Sequence, residues 1–155
     1  MDEKNREYIA HWRKARGDSD IYIKNAEGIL EPAEVQTIEE HLRNTSELAA
    51  SFAEVFGNGE LGRQTGLMHD PGKFSGAFQH RIWDNGPKTD HSTAGAQEVY
   101  CLNRNVVGLM IAECIASHHS GLLNVGSYVD TGDTTVSLMA RLNKDLKDDY
   151  KIYQQ

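Results

Sequence analysis

Residues 66–73 read GLMHDPGK, in which a histidine and an aspartate stand side by side ahead of a Pro-Gly pair. Neighbours on a helix point about 100° apart, because the helix has roughly 3.6 residues per turn. The residue before a proline is pushed out of the helical region. We therefore predict that a helix ends at His69 and Asp70, where both side chains can turn toward one point. A metal ion is such a point, and other parts of the chain would complete its ligands.

Apolar periodicity predicts helices along most of the chain, and strand signals are weak throughout. In the longest of these segments the apolar residues recur at steps of three, four and seven: Val35, Ile38, Leu42, Ala49, Phe52 and Phe56. The predicted helices span residues 34–56, 60–69, 73–83, 92–102, 106–117 and 135–150. A chain of 155 residues suits one domain. We therefore expect a single all-α domain, residues 1–155, with a metal site in the central cleft of a helical bundle.

The composition is that of an ordinary globular protein, with 25% charged and 39% hydrophobic residues. The charged start of the chain offers no secretory signal, and the longest apolar run, residues 106–117, is too short to span a bilayer. Cys101 and Cys114 form no CxxC pair, so we expect a reduced, cytoplasmic protein without membrane contact. The net charge of −7 argues against a domain that grips nucleic acid unaided.

Five of the seven histidines are predicted, like Asp70, at a buried helix edge or at helix ends: His41, His69, His91, His118 and His119. Neutral imidazole with carboxylate suits a first-row transition metal, and more than four such groups indicate two ions. His11 and His80 have charged and polar neighbours, and we interpret them as structural or surface residues.

Each candidate also has a plainer interpretation when it is taken alone. His41 would be a core histidine bonded to a carbonyl group, and the pair at 69–70 would cap a helix end. His91 would be a surface residue, and the pair at 118–119 would belong to a polar loop. The metal hypothesis depends on the set rather than on any one member.

Four motifs follow one another in the chain: His41, GLMHDPGK at 66–73, DHSTAGA at 90–96 and ASHHSGL at 116–122. In this order they resemble the HD superfamily of metal-dependent phosphohydrolases. The segments FQ at 78–79, HS at 91–92 and HHSGLLNVGS at 118–127 are similar to the HD nuclease domain of the type I CRISPR-associated helicase-nuclease. YIAHWRK at 8–14 is similar to the opening of that domain. The resemblance covers nearly all of the chain.

The resemblance implies an all-helical HD fold that binds two divalent ions, drawn from Mn, Ni, Co, Fe or Mg. The first ion would be held by His41, His69 and Asp70. Asp70 would bridge to the second ion, which would also be held by His91, His118 and His119. The implied cofactor-dependent reaction is phosphodiester hydrolysis of single-stranded DNA, in which the ions activate water and stabilise the developing charge.

Lys73 and Ser92 are further candidates near these motifs. The resemblance implies that Asp70 and Lys73 are catalytic, with Lys73 close to the phosphate, where its charge would help. The plainer interpretation of Lys73 is an exposed turn lysine. For Ser92 we favour a helix cap over a group that orients a ligand.

The implied partners are the CRISPR helicase and the DNA-bound surveillance complex (Cascade).

The chain departs from the family pattern at its C-terminal end. The family completes the first ion with another aspartate, in an apolar helix beyond the region where this chain stops, and a helicase often follows. The remaining candidates, none in an apolar context, are Asp130, Asp133, Asp145, Asp148 and Asp149. We interpret the last three as a solvated helix face. We expect the missing carboxylate to weaken the first ion, leaving one metal, slow turnover or no activity. Uncovered apolar surface on helices 106–117 and 135–150 predicts a homodimer or a docking partner.

Three functions stay open at this point. The motifs favour a metal-dependent nuclease, endo- or exonucleolytic, that acts on single-stranded DNA in CRISPR antiviral defence. A shortened, catalytically weak domain that binds interference components as a regulator or inhibitor is the first alternative. An HD phosphohydrolase of small nucleotides is the second, and the HHSGL and FQ segments argue against it. Two basic-aromatic clusters, residues 12–16 and 81–83, are interpreted as ordinary amphipathic surface.

Overall fold

The computed structural model describes residues 7–132 and 136–154 as a mixed α/β fold. The prediction of an all-α helical bundle is therefore wrong. The N-terminal part forms a three-stranded antiparallel sheet of β1 (Ile9–Lys14), β2 (Tyr22–Lys24) and β3 (Leu30–Thr37). The strand order is β1-β3-β2, so β3 is the central strand.

Helices make up most of the remaining chain: α1 (Ile38–Glu54), α2 (Gly59–Leu67), α3 (Gly76–Asp84), α4 (Ser92–Leu102), α5 (Val106–Ser117) and α6 (Leu138–Leu142). The 3-10 helix Pro71–Phe74 lies between α2 and α3, and the 3-10 helix Asp148–Gln154 follows α6. The helices predicted over 92–102 and 106–117 have these bounds. The helix predicted over 135–150 is wrong, because the chain leaves α6 after Leu142 and becomes helical again only at Asp148. Residues 133–135, including Asp133, lie outside the described residues.

The helix predicted over 34–56 begins only at Ile38, because the residues before it belong to β3. Trp12 of β1 pairs with Val35 of β3, and Ile23 of β2 pairs with Glu31. Hydrogen bonds to two neighbouring strands stabilise an extended backbone here, although the local apolar spacing suits a helix. Thr37 then starts α1 with a capping box. Its hydroxyl accepts from the Glu40 N–H, and the Glu40 carboxylate accepts from the Thr37 N–H.

The helices α1 and α2 pack closely against each other. A Cβ on Gly66 of α2 would lie 2.7 Å from the Ser46 Cα of α1, so only glycine permits this approach. The contact sets the end of α2 against the middle of α1, and His69, just after α2, then reaches His41 in the first turn of α1. The core continues through α4, α5 and α6 around Ala112, Ile115 and Leu138.

The surface of α5 carries the apolar exposure that the sequence indicates. Val106, Val107 and Met110 are 73%, 51% and 64% exposed. Among the described residues, no helix is both long enough and apolar enough to cross a bilayer.

Candidate metal centre

The six predicted ligands lie at element ends that meet in one place. His41 is in the first turn of α1, and His69 and Asp70 lie between α2 and the 3-10 helix Pro71–Phe74. His91 directly precedes α4, and the pair at 118–119 directly follows α5. The fold brings all six together, in two groups that share Asp70.

The first group surrounds one oxygen of Asp70. The Nε2 atoms of His41 and His69 are 3.0 Å apart, and each lies 3.1 Å from Asp70 Oδ2. Both imidazoles are largely buried, and the Asp70 side chain is only 2% exposed. The three possible ligand atoms thus form a nearly equilateral triangle.

The second group surrounds the other oxygen of the same carboxylate. His118 Nε2 lies 3.3 Å and His91 Nε2 lies 3.5 Å from Asp70 Oδ1. His119 Nε2 lies 2.9 Å from His91 Nε2. Asp70 Oδ1 is buried and accepts no hydrogen bond from the part of the chain that the structure describes. Burying a carboxylate oxygen that receives no hydrogen bond is costly unless a cation compensates its charge. The imidazole nitrogens around this oxygen are metal ligands, so these residues could hold a metal ion.

Backbone carbonyls orient one imidazole of each group. The Nδ1–H of His69 donates to the Gly66 carbonyl over 2.6 Å, and the Nδ1–H of His118 donates to the Ile115 carbonyl over 2.7 Å. In a neutral imidazole the proton on Nδ1 leaves a lone pair on Nε2. Metal-binding histidines are oriented in this way, since the outer hydrogen bond selects the tautomer and directs the ring.

Asp90, rather than His91, accepts the hydrogen bonds at the start of α4. His91 occupies the position before α4 but makes no capping hydrogen bond. Asp90 accepts instead from the Thr93 N–H and hydroxyl, at 3.2 and 2.8 Å. Ser92 is the first residue of α4, and its hydroxyl accepts from Arg141 Nη1 over 3.1 Å and donates to the Ala116 carbonyl over 3.4 Å. The helix-cap interpretation of Ser92 is therefore wrong.

Lys73 is buried against the carboxylate rather than exposed in a turn. Its side chain is 3% exposed, and its Nζ donates to Asp70 Oδ2 over 2.9 Å. The same ammonium lies 3.0 Å from His11 Nε2 and 5.5 Å above the Phe78 ring. The interpretation of Lys73 as an exposed turn residue is therefore wrong.

The sequence interpretation of His11 missed its contact with the site. The register of β1 against β3 shifts between Ile9 and His11, which leaves Ala10 as an extra residue. Such a bulge redirects side chains, and here the ring of His11 lies 4.7 Å from that of His41. Partial burial and the charge of Lys73 lower the pKa of His11 to about 4. The YIAHWRK resemblance was the one sequence signal that pointed to this residue.

Gln79 ties β1 to residues 69–73, which we call the HD turn. Its Nε2 donates to the carbonyls of Ile9 and Lys73, at 3.0 and 2.8 Å, and its Oε1 accepts from the Ile9 N–H at 3.2 Å. One amide side chain therefore sets the distance between β1 and the segment that carries Lys73. This is the structural role of Gln79 in the FQ pair.

The charges of the site follow from its burial and from the shared carboxylate. Burial raises the pKa of Asp70, but the imidazoles of His118, His41 and His69 outweigh it and hold that pKa well below its ordinary range. Burial lowers the pKa of His91. Burial also lowers the pKa of His118, but its contact with Asp70 gives a net rise. The site thus favours an ionised carboxylate among imidazoles.

The other candidates lie elsewhere. Asp130 accepts from the Ser127 N–H at 3.0 Å, and Asp149 accepts from the Gly76 N–H at the start of α3 at 2.9 Å. His80 is 61% exposed and lies 3.6 Å from Asp84. Within the described chain, neither ligand group contains a carboxylate other than Asp70.

A scan against protein-family models and a search of curated proteins found no match for this chain. The functional conclusion therefore depends on the geometry of the site and on the motif resemblance.

Proposed function

We propose that this chain is a metal-dependent phosphodiesterase of the HD type that hydrolyses single-stranded DNA. The observation that carries the proposal is the shared carboxylate: the two oxygens of Asp70 face two separate imidazole groups. A carboxylate so placed can bridge two cations and offset the repulsion between them. Two-metal sites of this kind serve in-line displacement at phosphorus.

The spacing of the first group suits one divalent ion. Adjacent ligands about 2.0–2.1 Å from an ion are about 2.9 Å apart in octahedral coordination and about 3.4 Å apart in tetrahedral coordination. The observed separations of 3.0 and 3.1 Å lie between these values, so His41, His69 and Asp70 would hold an ion of either geometry. Two histidines and one carboxylate on one face suit iron(II) and its first-row neighbours manganese, cobalt and nickel.

The protein side chains divide the work between binding and electrostatics. The first ion would be held by His41, His69 and Asp70, and the second by Asp70 with His91, His118 and His119. When bound, such ions lower the pKa of water and neutralise charge on a phosphate. Lys73 holds Asp70 in place and adds a positive charge at the cleft. Hydrolysis adds water across one P–O bond and leaves a phosphate monoester and a hydroxyl end.

The test is metal content together with cleavage. We expect elemental analysis to find two ions per chain after loading with manganese or cobalt, and circular single-stranded DNA to be cut. Asp70→Ala should lose both properties, because it removes the oxygens that both groups share. His80→Ala is the matched control, since it deletes an exposed imidazole. Hydrolysis of mononucleotides with no cutting of circles would contradict the proposal.

A non-catalytic regulator is the second candidate. The observation that favours it is that, among the described residues, neither ligand group has a carboxylate beyond Asp70. This candidate predicts binding to the CRISPR helicase or surveillance complex, with no DNA cleavage under any divalent ion. Failure to bind either partner would contradict it.

A further inference from the structure

One arginine joins the two elements that carry the second ligand group. One histidine of that group directly precedes α4, and the other two directly follow α5. Arg141 lies in α6, outside the four sequence motifs. Its Nη1 donates to the Ser92 hydroxyl over 3.1 Å and to the Ala116 carbonyl over 2.8 Å. Because Ser92 follows His91 and Ala116 lies two residues before His118, the guanidinium spans the bases of both ligand-bearing segments.

The guanidinium supplies a hydrogen-bond donor that the end of α5 lacks. The last carbonyls of a helix have no partner within it. The N–H of Ser120 would donate to Ala116 in a continuing helix, but it donates to the Ser117 carbonyl over 2.9 Å. Arg141 takes its place, and its positive charge also suits the C-terminal end of a helix. The Ser92 hydroxyl donates to the same Ala116 carbonyl over 3.4 Å, so the three groups form a closed set.

The backbone of Arg141 is itself held against both helices. Leu138, in the same short helix, is fully buried and belongs to one core cluster with Ile115 of α5. The Gln97 side chain of α4 donates to the carbonyls of Arg141 and Lys144, at 2.9 and 2.7 Å. The guanidinium therefore extends from a fixed point, and its length sets the distance between the start of α4 and the end of α5.

The first ligand group is independent of this arginine. Of the hydrogen bonds that the structure describes for Arg141, none involves His41, His69 or Asp70. In the second group the Nε2 atoms of His91 and His119 are 2.9 Å apart although they come from different elements. A change in the distance between those elements would separate these two nitrogens and leave the first group as it is.

We propose that Arg141 is a positioning residue for the second ligand group, through Ser92 and the Ala116 carbonyl. It keeps the start of α4 close enough to the end of α5 for histidines of both segments to bind one ion. This inference rests on the proposed two-metal function and deepens it, because it assigns the second ion a requirement outside the motifs.

The test measures manganese binding by calorimetry in two backgrounds that each keep one ligand group. His41→Ala removes a ligand of the first group, and His119→Ala removes one of the second. Arg141→Met, which keeps the apolar stem and deletes the guanidinium, is placed in both backgrounds. We expect it to weaken manganese binding by about 10–100-fold in the His41→Ala chain, the usual effect of losing a partner of the ligands. In the His119→Ala chain we expect no change.

Two further variants separate positioning from general damage to the fold. Arg63→Met is the matched control, because Arg63 is 50% exposed on α2 and lies 3.7 Å from Glu60. It should bind manganese like its background. Ser92→Ala removes one acceptor of the guanidinium and should weaken the same ion, which also carries the test if Arg141→Met does not fold. Combined with Arg141→Met it should lose less than the sum of the two single losses, because both changes act on one contact.

Equal losses in the two backgrounds would overturn the positioning role, since they would indicate a general loss of stability. An unchanged affinity in the His41→Ala background would overturn it as well, as would full additivity of the Ser92 and Arg141 changes. The absence of manganese binding by the His41→Ala chain would also overturn it.

Metal binding and cleavage separate this inference from the proposed function. Selective weakening of the second ion by Arg141→Met, with no cutting of DNA circles by the parent chain, would count against the phosphodiesterase alone. Metal-dependent cutting by a parent chain whose manganese affinity Arg141→Met leaves unchanged would count against the positioning role alone.

Discussion

At the scale of single residues, the site depends on one buried carboxylate. A buried charge costs several kcal/mol unless other groups compensate it. Asp70 has such groups on both oxygens, with Lys73 and two imidazoles at Oδ2 and two more imidazoles near Oδ1. An imidazole nitrogen with a lone pair cannot donate a hydrogen bond to the carboxylate, but both groups could bind the same cation. Asp70 is thus a structural anchor, and it would be the shared ligand of a bound metal.

Replacing Asp70 with asparagine should abolish metal binding while keeping the shape of the side chain. The amide is neutral, and its NH2 group would face imidazole nitrogens or the Lys73 ammonium. We expect the affinity for manganese or cobalt to fall by about 100-fold or more, measured by calorimetry. Asp145→Asn makes the same chemical change at an exposed position and should bind like the parent. Equal affinities of the two variants would contradict the role of Asp70.

Lys73 should matter for cleavage more than for metal uptake. Lys73→Met removes the buried ammonium but leaves every imidazole in place. We expect metal content to stay as in the parent and the single-turnover cleavage rate to fall by about 10²–10³-fold, the usual effect of losing a placed charge. A parallel loss of metal and rate would show instead that Lys73 only organises the ligands.

At the scale of elements, the distance between the ligand groups is set by how closely α4 approaches the HD turn. A Cβ on Gly95 of α4 would overlap the carbonyl oxygen of Met68, and a Cβ on Gly72 would overlap the backbone of His91. Glycine is required at both positions because backbone meets backbone. This approach carries His91 to Asp70, so packing of the main chain decides the geometry of the second group.

Gly95→Ala should therefore lower both stability and metal binding. We expect the free energy of unfolding in urea to fall by about 1–3 kcal/mol, as for other overpacked interiors. Gly17→Ala is the control, because its Cβ would have no neighbour within 4 Å. If both substitutions changed stability equally, close packing at α4 would not be the cause.

At the scale of the whole molecule, the ligands come from segments that are far apart in the chain. His41 and His119 are separated by most of the helical part of the fold, and the pair at 69–70 lies between them. An unfolded chain holds these groups apart, so an ion bound at this site would stabilise the native state by mass action. The candidate metal centre is therefore coupled to the stability of the fold.

Adding manganese or cobalt should raise the melting temperature, and above the dissociation constant the rise should follow the logarithm of the free metal concentration. At a free concentration about 100 times the dissociation constant, linkage predicts about 2.7 kcal/mol of added stability for one site. Differential scanning fluorimetry should show the rise, EDTA should reverse it, and Asp70→Ala should abolish it. A rise that persists in Asp70→Ala would place the ion elsewhere in the protein.

The sequence by itself determined the features that local chemistry controls. The bounds of α4 and α5 follow from apolar periodicity. A helix end ahead of Pro71 is also predicted, although α2 ends at Leu67, two residues earlier than predicted, and His69 and Asp70 lie just beyond it. The ligand set that the motifs predict is also the set that the fold brings together.

Only the tertiary structure decided the sheet, the burial of Lys73 and the contact of His11. The apolar spacing across 35–38 suits a helix, and β3 is extended because it pairs with strands on both sides. Lys73 is buried because Asp70 and His11 meet it, the latter 62 residues earlier in the chain. Pairing and charge compensation between distant segments have no local period, so apolar spacing could not predict them, and for His11 the YIAHWRK resemblance was the one pointer.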